Sequence, residues 1–399
     1  MNSIDKLCTQ TEEMDVEITE QSVYQPQVKL LSGRDRFGDG GVCIDDHKRL
    51  PISYVNAGAA GPMPLLKTAM TTVCENDCSY CSFSTHRDIP RQTFTPDEMA
   101  AVFMAVYNKG FVKGFFLSSG IVGGGICTQD KLLSAGEILR YRYGFRGYLH
   151  MKIMPGAERS QVLRAMQLAN RVSINLEAPT LDALQRIAPS KPLLPALDER
   201  LLWINEIRET LPAYQGWQGK WPSSSTQFVV GGGENTTDRD YLSLTENLHR
   251  RKKLSRVYFS GFNPVSGTPL AGQLKQEPLR VLRLYQSTFL IRDYGYESSE
   301  LDLFEDGFLD IHKDPKVSMA ERIYADQPLE INRAEYEQLI RIPGIGPKTA
   351  RCILHARREK TIQDAAGLKK LGVNTERALP FVLMNGKQAE RQMFFSFYQ

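Results

Sequence analysis

Between residues 65 and 262, short apolar runs alternate with amphipathic segments, and this alternation restricts the fold more than any other property of the 399-residue chain. The apolar runs are LLKTAMTTV (65–73), GFFLSS (114–119), GYLHMKIM (147–154), RVSINLE (171–177), TQFVVG (226–231) and RVYFSGF (256–262). Helical segments lie between them, a pattern that implies repeated strand–helix units and a parallel sheet. The first helix is the best marked. Thr95 caps it, Pro96 opens it, Asp97 and Glu98 occupy its first turn, and Met99, Val102, Phe103, Val106 and Tyr107 form one apolar stripe before Lys109-Gly110 ends it. The later helical segments are KLLSAGEILRYRY, ERSQVLRAMQLANR, LDERLLWINEIRETL and DRDYLSLTENLHRRKK. Six units of this kind fit a partial (β/α)6 barrel or an open doubly wound sheet, and both place function at the carboxyl ends of the strands.

The rest of the chain divides by composition. Residues 1–50 are polar and rich in Gly and Asp, and read as a tail and loop-rich lead-in; residues 51–299 hold the strand–helix units, closed by the helix EPLRVLRLYQSTFLIRDYG. Residues 300–330 form a connector, and 331–399 an all-helical unit. That last unit has twelve Lys/Arg against six Asp/Glu, while the whole chain is only +3, so the positive charge gathers where a polyanion could dock. No stretch approaches the roughly 18 apolar residues of a spanning helix, which leads to the expectation of a cytoplasmic protein without membrane contact. Seven cysteines, three of them within eight residues, argue for reduced, metal-binding thiols rather than disulfides.

The three are Cys74-x3-Cys78-x2-Cys81, directly after the first strand. Three thiolates on one short loop can each hold one iron of a cubane, which leaves the fourth iron open to a small molecule. The spacing, with Tyr80 just before the last cysteine, resembles the motif of the radical S-adenosylmethionine (SAM) superfamily, and the resemblance implies a [4Fe–4S] cluster that cleaves SAM reductively to a 5′-deoxyadenosyl radical. The competing reading is a zinc site made of the three cysteines and His86.

Other residues fall where such a site needs them. The second strand ends in Leu117-Ser118-Ser119-Gly120, a polar turn that would receive the methionine ammonium group; superfamily members often carry a carboxylate there, and this strand end has none. Lys152 could pair with the methionine carboxylate. Asn175 and Glu177 share one face of their strand and suit ribose hydroxyls, with a strand-end ion pair as the alternative for Glu177. Glycines in VVGGGEN offer close backbone approach to the cofactor. Cys127 and Tyr258 are candidate hydrogen-atom donors to a product radical.

Near the C-terminus, YEQLIRIPGIGPKTARCILH (336–355) places a tight Pro343-Gly344-Ile345-Gly346 turn between two helices, the second opened by Pro347. Free amide groups and the helix dipole favour a phosphate there, beside Lys348, Thr349 and Arg351. The segment resembles the helix-hairpin-helix of DNA repair proteins, which grips backbone without reading sequence. LKKLGVNTERALPFV (368–382) is a degraded second copy, with Leu371-Gly372-Val373 as its turn.

From about residue 40 onward, the landmarks CENDCSYC, GFFLSSG, RGYLHMKIMPGA, RVSINLEAPT, STQFVVG, RVYFSGFNPV, LYQSTFLIRDYG, DPK and LIRIPGIGPKTA resemble the DNA modification/repair radical SAM proteins with a C-terminal helix-hairpin-helix. That resemblance implies a cluster-bearing partial TIM barrel fused to a DNA-binding tail, with Gly344, Gly346, Lys348, Thr349 and Arg351 on the phosphates. It further implies an electron donor such as a flavodoxin or ferredoxin, and a uracil-DNA-glycosylase-like partner. Two alternatives stand beside it: radical chemistry on RNA, and a non-catalytic DNA-binding protein whose metal only staples the loop.

Overall fold

The computed structural model describes residues 3–11, 42–45, 48–56, 61–191 and 194–388. They form two compact units, residues 1–236 with 247–281 and residues 237–246 with 282–399.

The first unit is built on a seven-stranded sheet. A hairpin of β1 (Val42–Asp45) and β2 (Lys48–Leu50) precedes β3 (Ile52–Asn56), which runs antiparallel to β4 (Pro62–Ala69). Five further strands continue in parallel: β5 (Gly114–Ser118), β6 (Tyr148–Lys152), β7 (Arg171–Ser173), β8 (Ser223–Val230) and β9 (Arg256–Gly261). Their order in space is their order in sequence. A doubly wound sheet reverses its strand order at a switch point, whereas a barrel winds one way. The sequential order therefore decides for the partial barrel, with β3 and β9 as its edges among the described residues.

The crossovers are α1 (Pro96–Asn108), α2 (Gly124–Glu137), α3 (Arg159–Leu168), α4 (Leu181–Ile187) and α5 (Leu194–Thr210), with α6 (Asp238–Arg250) between β8 and β9. Thr95 and Glu98 form a reciprocal capping box at the start of α1. Outward-facing Phe115, Leu117, Leu149, Met151, Val172, Phe228 and Phe259 are fully buried, and Phe103 of α1 stacks on Phe115 at 4.5 Å. Alternate residues face inward. On β6, Tyr148, His150 and Lys152 stay partly accessible while Leu149 and Met151 between them do not, so the barrel interior is polar.

Two features differ from the expectation. Residues 3–11 form a helix rather than part of a tail, with Leu7 buried and the Gln10 side chain donating to the Ala69 carbonyl (3.0 Å) and accepting from Thr68 Oγ1 (2.5 Å). Such a short helix owes its stability to tertiary contact, which local periodicity does not record. The second helix begins at Gly124, seven residues before the apolar pattern shows it.

The second unit takes in most of α7 (Pro278–Tyr294), then α8 (Pro315–Tyr324), α9 (Tyr336–Leu339), α10 (Pro347–Glu359), α11 (Ala365–Lys370) and α12 (Thr375–Ala378). Ile331, Leu339, Ile342, Ile353, Leu368 and Val382 are fully buried in its core. A parallel pairing of β10 (Leu329–Glu330) with β11 (Val382–Leu383) joins its ends, a strand element the composition did not signal. Among the described residues no helix is long and apolar enough to cross a membrane.

Candidate functional site

The chain leaves β4 at Ala69 into an irregular loop that returns at Phe94. Phe94 N donates to Met70 O (2.9 Å) and Thr72 N to Gln92 O (2.9 Å), closing the loop at its base. Arg91 fills its centre, donating to the carbonyls of Thr72 (2.6 Å), Phe83 (2.9 Å), Ser84 (2.9 Å) and Arg87 (2.7 Å). A guanidinium spread over four carbonyls fixes the backbone without needing a carboxylate partner. Cys74, Cys78 and Cys81 on this loop are all free thiols. Ile121 N donates to Cys74 Sγ and Phe83 N to Cys81 Sγ, each at 3.4 Å. Cys78 is the buried member; burial pushes its thiol up to about 11, against the pull of nearby Lys191.

The second strand end abuts this loop. Met70 N donates to Ser118 O (2.7 Å) and Gly120 N to Thr71 O (2.8 Å). A Cβ at Gly120 would stand 2.1 Å from Val73 O, so only glycine lets β5 reach the loop. Ser119 Oγ is buried with no hydrogen-bond partner among the described residues. Just beyond this strand end, Glu75 of the loop accepts from Gly123 N (2.6 Å) and Gly124 N (3.3 Å). Glu75 follows Cys74 directly, and that adjacency was the available sequence signal.

Across the barrel mouth, Glu177 and Lys191 form a buried ion pair, joined by the Tyr80 hydroxyl, which hydrogen-bonds to the Glu177 carboxylate. Burial alone would raise the Glu177 carboxyl, but Lys191, Lys152 and the hydrogen bonds from Lys191 and Tyr80 outweigh it and hold the group below its ordinary range. Glu177 sits at φ +66°, a left-handed backbone unusual for a side chain of this size. Ser79 N donates to Ile187 O (2.8 Å) and Ser190 N to Asp77 Oδ1 (3.0 Å), so the segment carrying Lys191 is tied to the cysteine loop at two further points. The sequence pointed to Glu177 and Tyr80 but missed Lys191, which lies in the segment APSKP between two helices and carries no motif of its own. Lys152, at the end of β6, is half-buried and close enough to Glu177 for its charge to be felt, while Asn175 makes no hydrogen bond among the described residues.

The remaining candidates are dispersed. Cys127 is exposed in the first turn of α2. Tyr258 points into the barrel, where its hydroxyl accepts from Arg171 Nη1 at 2.8 Å. The glycines of VVGGGEN are packed on by the chain's own side chains: a Cβ at Gly231 would meet Gln276 Oε1 at 2.0 Å, and one at Gly233 the Ala183 Cβ at 2.6 Å. Their openness serves internal packing.

In the second unit the two hairpins are present and nested. Gly344 (φ +84°) turns the first, and a Cβ there would lie 2.3 Å from Asn374 O of the second; Asn374 N donates back to Gly344 O (3.1 Å). Thr349 Oγ1 donates to Gly372 O (3.4 Å), tying the helix after one turn to the turn of the other. Gly346 caps α10. Lys348 and Arg351 are exposed, and the Arg351 guanidinium lies 5.9 Å from the Tyr336 ring centroid. From α8, the buried Lys316 donates to Ile345 O (2.6 Å) and sits over the Tyr294 ring (4.4 Å); burial, then Arg377, pulls its pKa down to about 7.

Comparison with known proteins agrees with this geometry. Residues 68–212 match the family described as the Radical SAM superfamily, and residues 329–356 match the helix-hairpin-helix motif. The chain thus carries a radical SAM domain and a C-terminal helix-hairpin-helix motif. A 7,8-didemethyl-8-hydroxy-5-deazariboflavin synthase from Methanoregula boonei is 26% identical over 226 residues, which cover 51% of this chain and 60% of that protein. Among solved structures, methylornithine synthase (PylB) aligns with a TM-score of 0.44 at 15% identity over 57% of this chain and 61% of that one. The hydrogenase maturase HydG from Carboxydothermus hydrogenoformans aligns at 0.43, with 15% identity over 57% and 51%. Members of the superfamily use a [4Fe–4S] cluster and SAM.

The residues fit that pair of cofactors. Three free thiols stand on one strapped loop, two with an N–H directed at sulfur, and a buried Ser119 hydroxyl and one Glu177 oxygen have no hydrogen-bond partner among the described residues. A single zinc instead needs its ligands gathered around one point. His86, the fourth ligand such a site would need, is exposed.

Proposed function

We propose that this radical SAM enzyme acts on a nucleotide in DNA, for repair or modification. The observation carrying the DNA assignment is the nested hairpin pair, whose Gly346-capped helix and exposed Lys348 and Arg351 form a backbone-phosphate grip. In this reading Cys74, Cys78 and Cys81 hold the cluster. Bound there and reduced in the presence of SAM, such a cluster would supply 5′-deoxyadenosyl radical chemistry for hydrogen-atom abstraction from a substrate C–H bond. The protein's part is to position and to exclude water. Arg91 and Gly120 set the loop against β5; Ser118 and Ser119 would receive the methionine ammonium, and Lys152 would pair with its carboxylate. The buried Glu177–Lys191 pair and Tyr80 brace the loop from the opposite side, with Asn175 beside them for the ribose. Cys127 and Tyr258 are the candidates for returning a hydrogen atom. Thr349 and Gly344 contribute by fixing one hairpin to the other. A flavodoxin or ferredoxin as electron donor and a uracil-DNA-glycosylase-like partner complete the proposal.

The test is anaerobic turnover with perdeuterated duplex DNA. Deuterium appearing in 5′-deoxyadenosine supports the assignment. Transfer from structured RNA but not from DNA would move the substrate to RNA, and cofactor cleavage with no transfer from either would end the nucleic-acid reading.

A further inference from the structure

The landmark DPK, residues 314–316, opens α8 and engages both hairpins of the second unit. Asp314 Oδ1 caps the helix, accepting from Lys316 N (2.9 Å) and Val317 N (3.4 Å), and Pro315 occupies its first position. Asp314 Oδ2 accepts from Arg377 Nη2 of α12, in the second hairpin, at 2.9 Å. Lys316 serves the first hairpin. It is 8% exposed, its ammonium donates to Ile345 O at 2.6 Å, and it lies 4.4 Å from the centroid of the Tyr294 ring. The Tyr294 hydroxyl in turn stands against Gly346, 3.4 Å from where a Cβ would be. The tripeptide therefore touches the turn of one hairpin through Lys316 and the helix of the other through Asp314.

The peptide between Ile345 and Gly346 ends the turn and leads into α10. A trans peptide points its C=O and N–H in opposite directions, so a carbonyl drawn inward onto Lys316 sends the Gly346 N–H away from the buried ammonium. That N–H makes no hydrogen bond among the described residues, and Ala350 N is bonded to Gly346 O at 2.8 Å. The amides of Lys348 and Thr349, in the first turn of α10, have no acceptor within the helix. An ammonium under the turn is a poor stability device. Burial, then Arg377, outweigh the pull of Asp314 and bring its pKa down to about 7, and an apolar side chain of similar length would fill the space at lower cost. An apolar side chain cannot hold the carbonyl. We infer that Lys316 is a positioning residue for phosphate: by holding Ile345 O it aims the Gly346 amide, beside the free first-turn amides of α10, at a backbone phosphate of the duplex. This rests on the proposed grip of duplex DNA by the hairpins. It adds a residue that sets affinity without touching the phosphate.

Fluorescence anisotropy of a labelled DNA duplex with the full chain, over a salt series at pH 6.5, tests it. Lys316→Met keeps the volume and removes the donor, and Lys316→Gln is one bond too short to hold the carbonyl. Each should weaken duplex binding about ten- to a hundredfold, the worth of a hydrogen bond from a charged group, with the log–log salt slope unchanged. Lys348→Ala should instead lower that slope by about one, because it removes a phosphate contact. Lys316→Arg, bulkier but still a donor, should recover part of the loss, whereas a role in packing alone would make it the worst of the three. Calorimetric melting of each variant sets a temperature at which its second unit is folded, and the losses are read there. Wild-type affinity in Lys316→Met and Lys316→Gln, no recovery in Lys316→Arg, or failure of both neutral variants to fold would overturn the inference. A salt slope lowered by about one in Lys316→Met would also overturn it, by making Lys316 itself a phosphate ligand. Binding weakened in Lys348→Ala but not in Lys316→Met leaves the hairpin grip standing and removes the positioning role alone; a wild-type chain that does not bind duplex removes both.

Discussion

Removing one partner of the Glu177–Lys191 pair should be among the most damaging single changes in the first unit. The side chains are 2% and 8% exposed, which puts the pair in the buried regime and not among surface bridges worth a fraction of a kcal/mol. Lys191→Met leaves the Glu177 carboxylate dry, with only Lys152 and Tyr80 nearby. Glu177→Gln leaves a buried ammonium instead. Each should cost about 3–5 kcal/mol, because the lost attraction no longer offsets desolvation of the survivor. The double variant removes both charges and should cost far less than the sum, giving a coupling energy of about 2 kcal/mol or more. Urea unfolding of the cluster-free full chain can measure this, since Trp203, Trp217 and Trp221 all belong to the same unit as the pair. The depressed Glu177 carboxyl adds a pH signature. Its stabilisation is present above the unfolded carboxyl value of about 4.3 and is lost as pH falls through the lower folded value, a dependence that Glu177→Gln should abolish. Single variants within 1 kcal/mol of wild type, or strictly additive costs, would refute the reasoning.

Gly120→Ala drives a methyl group to 2.1 Å from Val73 O, so it should cost about 1–3 kcal/mol and reduce iron and sulfide incorporation on reconstitution, read by metal analysis alongside the melting temperature. Lys348→Ala should weaken duplex retention uniformly across sequences and lower the log–log salt slope by about one, while 5′-deoxyadenosine formation without DNA is unchanged. Lys316 titrates near 7 when folded and near 10.4 when unfolded, so the second unit should gain stability as pH rises between those values; Lys316→Met should flatten that rise in calorimetric scans.

The barrel was legible because its information is local and repetitive. Phe103, Val106 and their neighbours mark a helix by spacing alone, and Leu149 and Met151 alternate visibly with His150 and Lys152. The cysteine triplet and the Pro343–Gly346 turn were equally plain, since each packs its chemistry into one short segment. What stayed hidden depends on distant residues. The helix at 3–11 exists because Gln10 and Leu7 find the sheet, and the use of Gly231 is settled by Gln276, 45 positions away. Lys191 matters only because folding brings it to Glu177. Lys316 likewise meets the Ile345 carbonyl, 29 positions away, only in the folded second unit.

The most direct test of the central claim is 5′-deoxyadenosine production by anaerobically reconstituted, chemically reduced protein given SAM, with iron and sulfide counted on the same sample. The account predicts four irons, four sulfides and steady formation of 5′-deoxyadenosine, with both the cluster and the product lost in Cys74→Ala, Cys78→Ala and Cys81→Ala. A fully loaded cluster that leaves the cofactor intact, or product formation that survives removal of any of the three cysteines, would contradict it.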